Sequence, residues 1–476
     1  MRNSLFLEQA YLNGKFISSD KTFEIFNPAT QKALGQLPDL SVADCYRYIQ
    51  TAEQAWHLWK KESLGFRSQL IRKLNLLIEE HKNELAEIMT LESGKPIRES
   101  LTEVDYANSF LDWFAEEGKR AYGETIPSIN GKNHLMTIKQ SIGVVAAITP
   151  WNFPLAMITR KLAPALVAGC TLVLKPASQT PFTAIALAKL ADMAGFPNAV
   201  FNVITSTDSK GIGKALATSD LVRKISFTGS TAVGKTLMEQ AASTIKRISL
   251  ELGGNAPMII FQDANIDQAV AGSIAGKFRN TGQTCVSINR FYVHETIYKE
   301  FCDKLTIAVK NLVLADGLNP ESQVGPLINQ KGLEKVQSHV ADAVAHGAKI
   351  ETGGETKEGL FYQPTVLSNV HPDSLIAKEE TFGPVCALFK FSTEEEVLQL
   401  ANNTAFGLAA YFYSDNVARC FRVAQALEAG MIGINTGLIS NASAPFGGVK
   451  QSGLGREGSK YGLDEYMELK YLCFAD

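Results

Sequence analysis

Short apolar runs alternate with amphipathic segments along most of the chain from about residue 140 onward. Runs of this length, bounded by turn residues, are typical of buried strands. Strands are predicted at 143–148, 171–174, 200–204, 224–227 and 256–261, with helices at 154–168, at 181–194 and after Ser230. Strands separated by helices of this length predict parallel sheets joined by right-handed crossovers.

A second set of alternating elements begins near Ile266. Helices are predicted around 266–280 and 296–313, and strands near Phe291, Val385 and Ile432. We therefore predict an α/β fold with two Rossmann-like, parallel-sheet domains that meet near Gly253 and Gly254. Upstream, leucines at helical spacing predict one amphipathic helix over 63–92, packed on a larger body.

Two segments, 118–139 and the tail 462–476, fit neither sheet domain, and both could form extended arms that pair with another subunit. The predicted boundaries are therefore 1–117 with 140–252 for the first domain and 253–452 for the second. A small β arm is predicted from 118–139 and 462–476.

Composition narrows the function classes. The 476 residues are 45% hydrophobic and 20% charged with a net charge of -3, which suits a globular protein of two or three domains. Dispersed basic residues indicate neither nucleic-acid binding nor a membrane surface. The uncharged stretch 141–159 is interrupted by Pro150, Asn152 and Pro154, so we predict no membrane span there.

The cysteines and histidines indicate the compartment and argue against a metal. Seven cysteines without a CxxC pair suit a reducing compartment, and no signal peptide is recognisable, so we expect a cytoplasmic protein. The seven histidines form no HxxxH or HExxH pattern, so no metal site is predicted.

One cysteine and one glutamate stand out as candidates for covalent chemistry at a carbonyl carbon. Cys285 alone lies in a polar stretch rich in Gly, Thr, Gln and Asn, whereas the other six cysteines fit a buried apolar role. Glu251, followed by Gly253 and Gly254, could activate water to hydrolyse a thioester. The alternative pairs Glu251 with Arg247 one turn earlier on a helix.

Asn152 is the candidate donor to an oxyanion. Its side-chain amide could act beside the backbone N–H of Cys285. The alternative is a loop asparagine that hydrogen-bonds its own backbone.

Residues 229–236 match the phosphate-loop pattern GxxxxGK[ST] and follow a predicted strand. A nucleoside triphosphatase, with Asp263 on magnesium, is therefore one hypothesis. It leaves Cys285 and Glu251 without a role, and the same helix start could bind the pyrophosphate of a dinucleotide. A second glycine motif at Gly211 lacks its third glycine and is weaker.

The end of the second strand bears on coenzyme choice. Lys175 and Ser178 stand where a dinucleotide fold that prefers NAD would carry a carboxylate. A cation and a hydroxyl suit a 2′-phosphate, so we predict NADP, with NAD as the weaker alternative. Lys175 could otherwise be a solvated lysine at a strand end.

Six motifs in order resemble the aldehyde dehydrogenase superfamily over the whole chain: 149–154, 174–177, 227–231, 251–254, 282–285 and 379–384. Two further stretches, 277–285 and 444–462, resemble the branch of that family that oxidises succinate semialdehyde with NADP. The resemblance implies a coenzyme domain, a catalytic domain and an oligomerisation arm, hence a homodimer or homotetramer. Some members of the family carry a second cysteine two residues after the nucleophile, and the two cysteines act together as a redox switch. Here the second position is Ser287.

The resemblance also assigns binding residues. It implies that Glu380 holds the nicotinamide ribose and that Phe382 packs near the nicotinamide. Coenzyme-lining positions are Trp151, Gly229, Ser230 and Leu252.

The implied substrate is a small aldehyde that carries a carboxylate. Arg160, Arg279 and Ser440 match the positions that bind the carboxylate, for which a guanidinium fork is suited. Glutarate semialdehyde, longer by one methylene, stays open as an alternative. Either arginine could instead form a structural salt bridge.

Overall fold

The computed structural model describes residues 3–475, which form fifteen α-helices and twenty-two β-strands. The helices are α1 Val42–Trp59, α2 Leu64–Glu80, α3 Lys82–Ser93, α4 Ile97–Glu117, α5 Ala156–Ala168, α6 Phe182–Ala194, α7 Ser209–Thr218, α8 Thr231–Ala241, α9 Ile266–Phe278, α10 Tyr298–Lys310, α11 Gln330–Ala345, α12 Leu375–Lys378, α13 Glu394–Asn402, α14 Val417–Ala426 and α15 Ser459–Asp464. Short 3₁₀ turns cover Gly118–Arg120, Ala242–Thr244 and Arg279–Gly282.

The strands are β1 Ala10–Leu12, β2 Lys15–Ile17, β3 Thr22–Phe26, β4 Ala33–Pro38, β5 Thr125–Ile126, β6 Asn133–Ser141, β7 Val144–Ile148, β8 Thr171–Lys175, β9 Phe201–Val203, β10 Val222–Thr228, β11 Arg247–Glu251, β12 Ala256–Ile260, β13 Ile288–His294, β14 Lys349–Thr352, β15 Thr365–Ser368, β16 Val385–Phe391, β17 Phe406–Gly407, β18 Ala409–Tyr413, β19 Met431–Ile434, β20 Val449–Lys450, β21 Gly453–Leu454 and β22 Met467–Ala475.

Two large sheets position the functional residues. The first has the order β2-β1-β9-β8-β7-β10-β11-β21, and β7 to β11 are parallel. The second has the order β14-β15-β16-β13-β12-β18-β19, parallel except for β14. The predicted α/β fold with two parallel sheets is confirmed. The chain leaves the first sheet at Glu251 and enters the second at Ala256.

Register explains why distant motifs meet. Ile148 pairs with Phe227 and Thr228 pairs with Glu251 across neighbouring parallel strands. The carboxyl ends of β7, β10 and β11 therefore lie together at one edge of the sheet. Ligands bind at this edge in open α/β sheets because the loops that follow the strands converge there.

The predicted helix over 63–92 is wrong in one respect, because it is two helices. α2 ends and α3 begins at His81, whose backbone (φ -99°, ψ 21°) interrupts the helix. The apolar spacing continues across this residue, which is why periodicity alone did not reveal the break.

The region around Glu251 also differs from one interpretation of the sequence. Arg247 and Glu251 lie on strand β11 and not on a helix, so the helical ion pair considered for Glu251 is wrong. The Arg247 guanidinium instead donates to the main-chain oxygens of Asp464 and Met467, at 2.8 and 2.7 Å.

The phosphate-loop hypothesis is also wrong. Ser230 caps α8 by accepting from the Val233 N–H, so Gly234 and Lys235 are already inside the helix. A phosphate loop needs these residues in a loop that encloses the anion. Asp263, the candidate magnesium ligand, is ion-paired with Arg419 at 2.6 Å. Gly211 lies within α7.

The two segments predicted as an arm pair with each other. β22, β6 and β5 form a separate three-stranded antiparallel sheet, in which Met467 pairs with Ser141 and Ala475 with Asn133. Pairing of this sheet with another subunit, and the predicted domain boundaries, stay predictions. Within residues 3–475 no helix has both the length and the apolar character needed to cross a membrane.

Candidate active site

A cavity of about 480 Å³ opens where loops from both sheets converge. That volume is typical of a small-molecule site. Twelve of the fourteen residues predicted from the sequence line it: Trp151, Asn152, Arg160, Gly229, Ser230, Glu251, Leu252, Arg279, Cys285, Glu380, Phe382 and Ser440.

Cys285 follows a turn of unusual backbone conformation. Asn280, Thr281 and Gly282 all adopt positive φ angles, of 49°, 59° and 75°. Non-glycine residues in this region cost about 1–3 kcal/mol each, so surrounding contacts must hold them. The Thr281 hydroxyl donates to the Gly325 carbonyl at 3.1 Å and accepts from the Gly325 N–H at 3.0 Å. The nucleophile is therefore carried by a turn that tertiary contacts fix.

The Cys285 thiol is half-buried among apolar and charged groups. Burial raises its pKa to about 12, and the charge of Glu380 adds to the effect, whereas Arg160 and Arg279 oppose it. With its pKa at this level the thiol is protonated near neutral pH, so it must lose its proton before it attacks a carbonyl carbon.

Asn152 lies beside the segment that carries the nucleophile. Its side-chain Nδ2 donates to the main-chain oxygen of Gln283 at 2.9 Å, two residues before Cys285. Its Oδ1 accepts no hydrogen bond from any residue in 3–475. The amide is thus held at the cavity wall by a single side-chain hydrogen bond, where a developing oxyanion could also reach it.

Glu251 ends β11 with its side chain in the cavity wall. The carboxyl is buried, and its Oε2 has no hydrogen-bond partner in the described part of the chain. Burial, and then the charge of Glu457, raise its pKa well above the ordinary value, while Arg160 opposes them. A Cβ at Gly447 would come within 2.9 Å of Oε1, so the bare backbone of Gly447 leaves room for the carboxyl. A carboxyl so desolvated is a strong base once it ionises.

Several other residues of the cavity wall have the features of a dinucleotide site. Glu380 accepts from the Gly254 N–H at 3.0 Å, and burial raises its pKa to about 7. The Phe382 ring meets Trp151 edge-on with the ring centres 5.6 Å apart. At Gly229, directly before α8, an added Cβ would lie 2.5 Å from the Phe227 ring, so only bare backbone fits.

Two predicted coenzyme residues do not line this cavity. Lys175 is buried, donates to the Pro176 carbonyl at 3.1 Å, and has a pKa lowered to about 8 by burial. Ser178 lies in the wall of a separate groove beside Phe26 and Thr207. The interpretation of Lys175 as a solvated lysine is wrong, and its role in coenzyme binding stays a prediction.

The two arginines differ in their partners. Arg160 is buried and paired through its Nε with Glu457 at 2.5 Å, while its Nη1 has no hydrogen-bond partner within 3–475. Arg279 forms no ion pair or hydrogen bond with any described residue and lies 5.2 Å from the centre of the Phe153 ring. The structural salt bridge considered for either arginine therefore exists at Arg160 and not at Arg279.

The sequence matches the model of the aldehyde dehydrogenase family over residues 16–472. The chain belongs to this family. The glutarate-semialdehyde dehydrogenase of Pseudomonas putida is 52% identical over 473 residues, 99% of this chain and 98% of that protein. The NADP(+) succinate-semialdehyde dehydrogenase of Escherichia coli is 52% identical over 475 residues, with the same coverage. A crystal structure of succinate-semialdehyde dehydrogenase from Burkholderia pseudomallei aligns with a TM-score of 0.98, 53% identity and 99% coverage of both chains.

Three residues of this aldehyde dehydrogenase were missed by the sequence reasoning. Glu457 pairs with both Arg160 and Lys161, and it lies in the glycine-rich stretch 444–462 that carried the resemblance but received no role. Lys95 is buried, and its position between Gly94 and Pro96 is the one sequence signal that could have drawn attention to it. Tyr106 lines the cavity from the middle of α4, where an aromatic residue is indistinguishable from core.

Proposed function

We propose that this aldehyde dehydrogenase oxidises succinate semialdehyde to succinate with NADP. The proposed substrate rests on Arg279, whose guanidinium forms no ion pair with any described residue. It lies in the wall of the cavity that also contains Cys285. A half-buried guanidinium that contacts an aromatic ring but forms no ion pair with a described residue is a ready site for an anionic group of the substrate. The name of the Escherichia coli relative, which is 52% identical, supports the same substrate and coenzyme.

The remaining polar groups near Arg279 complete a carboxylate subsite. Ser440 lies on a different loop, and its side chain and that of Arg160 interact with the buried Tyr106 hydroxyl. Arg160 adds its Nη1, while its Nε is paired with Glu457 and its Nη2 donates to the Met157 sulfur at 3.1 Å. We propose that these four side chains bind the distal carboxylate.

The carbonyl carbon is attacked by the Cys285 thiolate, and its oxygen becomes an oxyanion. Asn152 Nδ2 and the backbone N–H of Cys285 are the proposed donors to that oxygen. Donors aimed at developing charge in a site that excludes water contribute much of the rate enhancement in such reactions. The product of attack is a thiohemiacetal on Cys285.

Coenzyme binding is assigned to other residues of the cavity wall. Glu380 would hold the nicotinamide ribose, Phe382 and Trp151 would flank the ring, and the start of α8 at Gly229 and Ser230 would bind phosphate. Leu252 lines the same wall. A nicotinamide dinucleotide, when bound, supplies the hydride acceptor that turns the thiohemiacetal into a thioester.

Glu251 is the proposed base for the final step. Its carboxylate takes a proton from water as the water oxygen attacks the thioester carbon, and the C–S bond then breaks to release the acid and the Cys285 thiolate. Glu251 loses the proton to solvent before the next cycle. A further proposal is that the protein is a cytoplasmic homodimer or homotetramer assembled through the sheet β22-β6-β5.

Glutarate semialdehyde is a second candidate, because the Pseudomonas putida relative is named for it. One methylene is worth about 1–3 kcal/mol in a fitted pocket, so the two acids differ little in recognition. Steady-state kinetics with both semialdehydes decides which has the higher kcat/KM.

Replacing Arg279 by alanine should lower kcat/KM for succinate semialdehyde by about 100-fold or more, since the substrate carboxylate loses its charged partner. The loss for butanal, which has no carboxylate, should stay below about fivefold. Reduced-coenzyme absorbance measures both substrates. Arg279→Lys keeps the charge without the fork and should fall between the two. Equal losses on both aldehydes would show that Arg279 only supports the turn before Cys285.

Replacing Ser178 by glutamate should lower kcat/KM for NADP by at least about tenfold, because a carboxylate repels the 2′-phosphate. Activity with NAD should be spared, and Ser178→Gln, which has the same size and no charge, is the control. A wild-type enzyme that prefers NAD would overturn the NADP assignment.

A further inference from the structure

Lys95 carries a fully buried ammonium directly before α4. Its Nζ contacts the Glu103 carboxylate and donates to the main-chain oxygen of Asn152 at 2.6 Å. It also lies 4.4 Å from the centre of the Phe153 ring. A buried ion pair adds little stability by itself, because desolvation offsets the attraction. Stability alone therefore does not account for the Lys95–Glu103 ion pair.

Glu103 extends the contact to the other side of the same loop. Its second oxygen accepts from the N–H groups of Leu155 and Ala156, at 2.9 and 3.2 Å. These N–H groups lie at the start of α5, where they have no partner within the helix and the N-cap residue provides no side-chain hydrogen bond. The pair thus fixes the chain on both sides of Phe153 and Pro154.

The loop so fixed carries the proposed oxyanion donor. The Asn152 side chain has one hydrogen bond, from Nδ2 to the Gln283 oxygen, and its direction therefore depends on where the main chain holds it. The Asn152 main-chain oxygen accepts from Lys95 and from the Asn280 amide at 3.1 Å. A donor displaced by about 1 Å can lose about 100-fold in rate.

We propose that Lys95 and Glu103 are positioning residues for Asn152. Their ion pair sets the main chain at Asn152 and so aims its amide at the oxygen of the bound aldehyde. The inference rests on the proposed role of Asn152 in the reaction. Neither Lys95 nor Glu103 lines the cavity, so both act through Asn152 and not on the substrate.

A double-mutant cycle tests this inference. The paired variant Lys95→Met with Glu103→Gln removes both charges and keeps an oxygen acceptor for the α5 N–H groups. The burst rate of coenzyme reduction is measured for this variant in the wild-type and Asn152→Ala backgrounds. Asn152→Ala should slow the burst by about 100-fold or more. The paired variant should slow it at least about tenfold in wild type and less than about twofold when Asn152 is absent.

Two controls separate positioning from general damage. Alkylation of Cys285 by iodoacetamide needs no oxyanion donor, so its rate in the paired variant should stay within about twofold of wild type. Lys224→Met removes another buried ammonium, one that bonds Ser249 in the first sheet, and should leave the burst rate near that of wild type. If the paired variant does not fold, Glu103→Gln alone carries the same cycle, with an expected loss of at least about threefold.

The outcomes are distinguishable. Equal losses in the two backgrounds, or alkylation that falls together with the burst, would overturn the positioning role and leave the proposed function intact. A burst that Asn152→Ala does not slow would overturn the role of Asn152 and this inference together.

Discussion

Replacing Cys285 by alanine should reduce aldehyde oxidation to below about 1% of wild type, because Cys285 is the one thiol among the described residues that line the cavity and the thioester cannot form without it. Cys285 is not among the residues assigned to the coenzyme, so coenzyme affinity should change little. Initial rates give the first quantity, and titration of coenzyme binding by fluorescence or calorimetry gives the second.

A second thiol provides the matched control. Cys420 is the other half-buried cysteine among residues 3–475, on α14 and away from the cavity. Cys420→Ala should retain wild-type turnover. Residual turnover of more than a few per cent in Cys285→Ala, after correction for contaminating wild type, would remove Cys285 from the role of nucleophile.

The sheet core could be predicted from the sequence because its strands are buried on both faces. Continuous apolar runs such as β7 and β12 mark this environment, and their observed bounds differ from the predicted ones by one or two residues. Strand β11 was missed, since Arg247 and Ser249 interrupt its apolar character. Parallel pairing with β10, which no local pattern encodes, makes it a strand.

The cavity residues could be predicted where a motif puts an unusual residue type in a glycine-rich or proline-rich loop. Cys285, Glu251 and Asn152 all have this property, and the structure brings them to one cavity. The roles of these residues stay predictions, because geometry shows where a group lies and not which step it serves.

The network beneath the cavity could not be predicted, because its partners are far apart in the chain. Glu457 lies 296 residues from Lys161, and Lys95 lies 57 residues from Asn152. Only the folded chain shows that Arg160 forms an ion pair with Glu457, whereas Arg279 forms none with any described residue. From the sequence the two arginines had the same predicted role and the same alternative, because the partner of Arg160 lies far away in the chain.

Replacing Glu251 by glutamine should permit one turnover and then stop. Attack by Cys285 and coenzyme reduction precede the step that needs a base, so one equivalent of reduced coenzyme should form per active site. Steady-state turnover should then fall by about 100-fold or more, the usual contribution of a general base. Stopped-flow absorbance separates the burst from the slow phase.

Chemical rescue identifies the blocked step. Hydroxylamine attacks a thioester without help from a protein base, so it should restore turnover in Glu251→Gln and yield the hydroxamate of the substrate acid. Because burial and Glu457 raise the pKa of Glu251, its carboxylate fraction in wild type grows at a higher pH than for an ordinary carboxyl, and hydrolysis of the thioester should accelerate over that range. Absence of a burst in Glu251→Gln would mean that the carboxyl is needed for attack by Cys285. A burst without rescue by hydroxylamine would mean that release of the acid, and not activation of water, is what the substitution impairs.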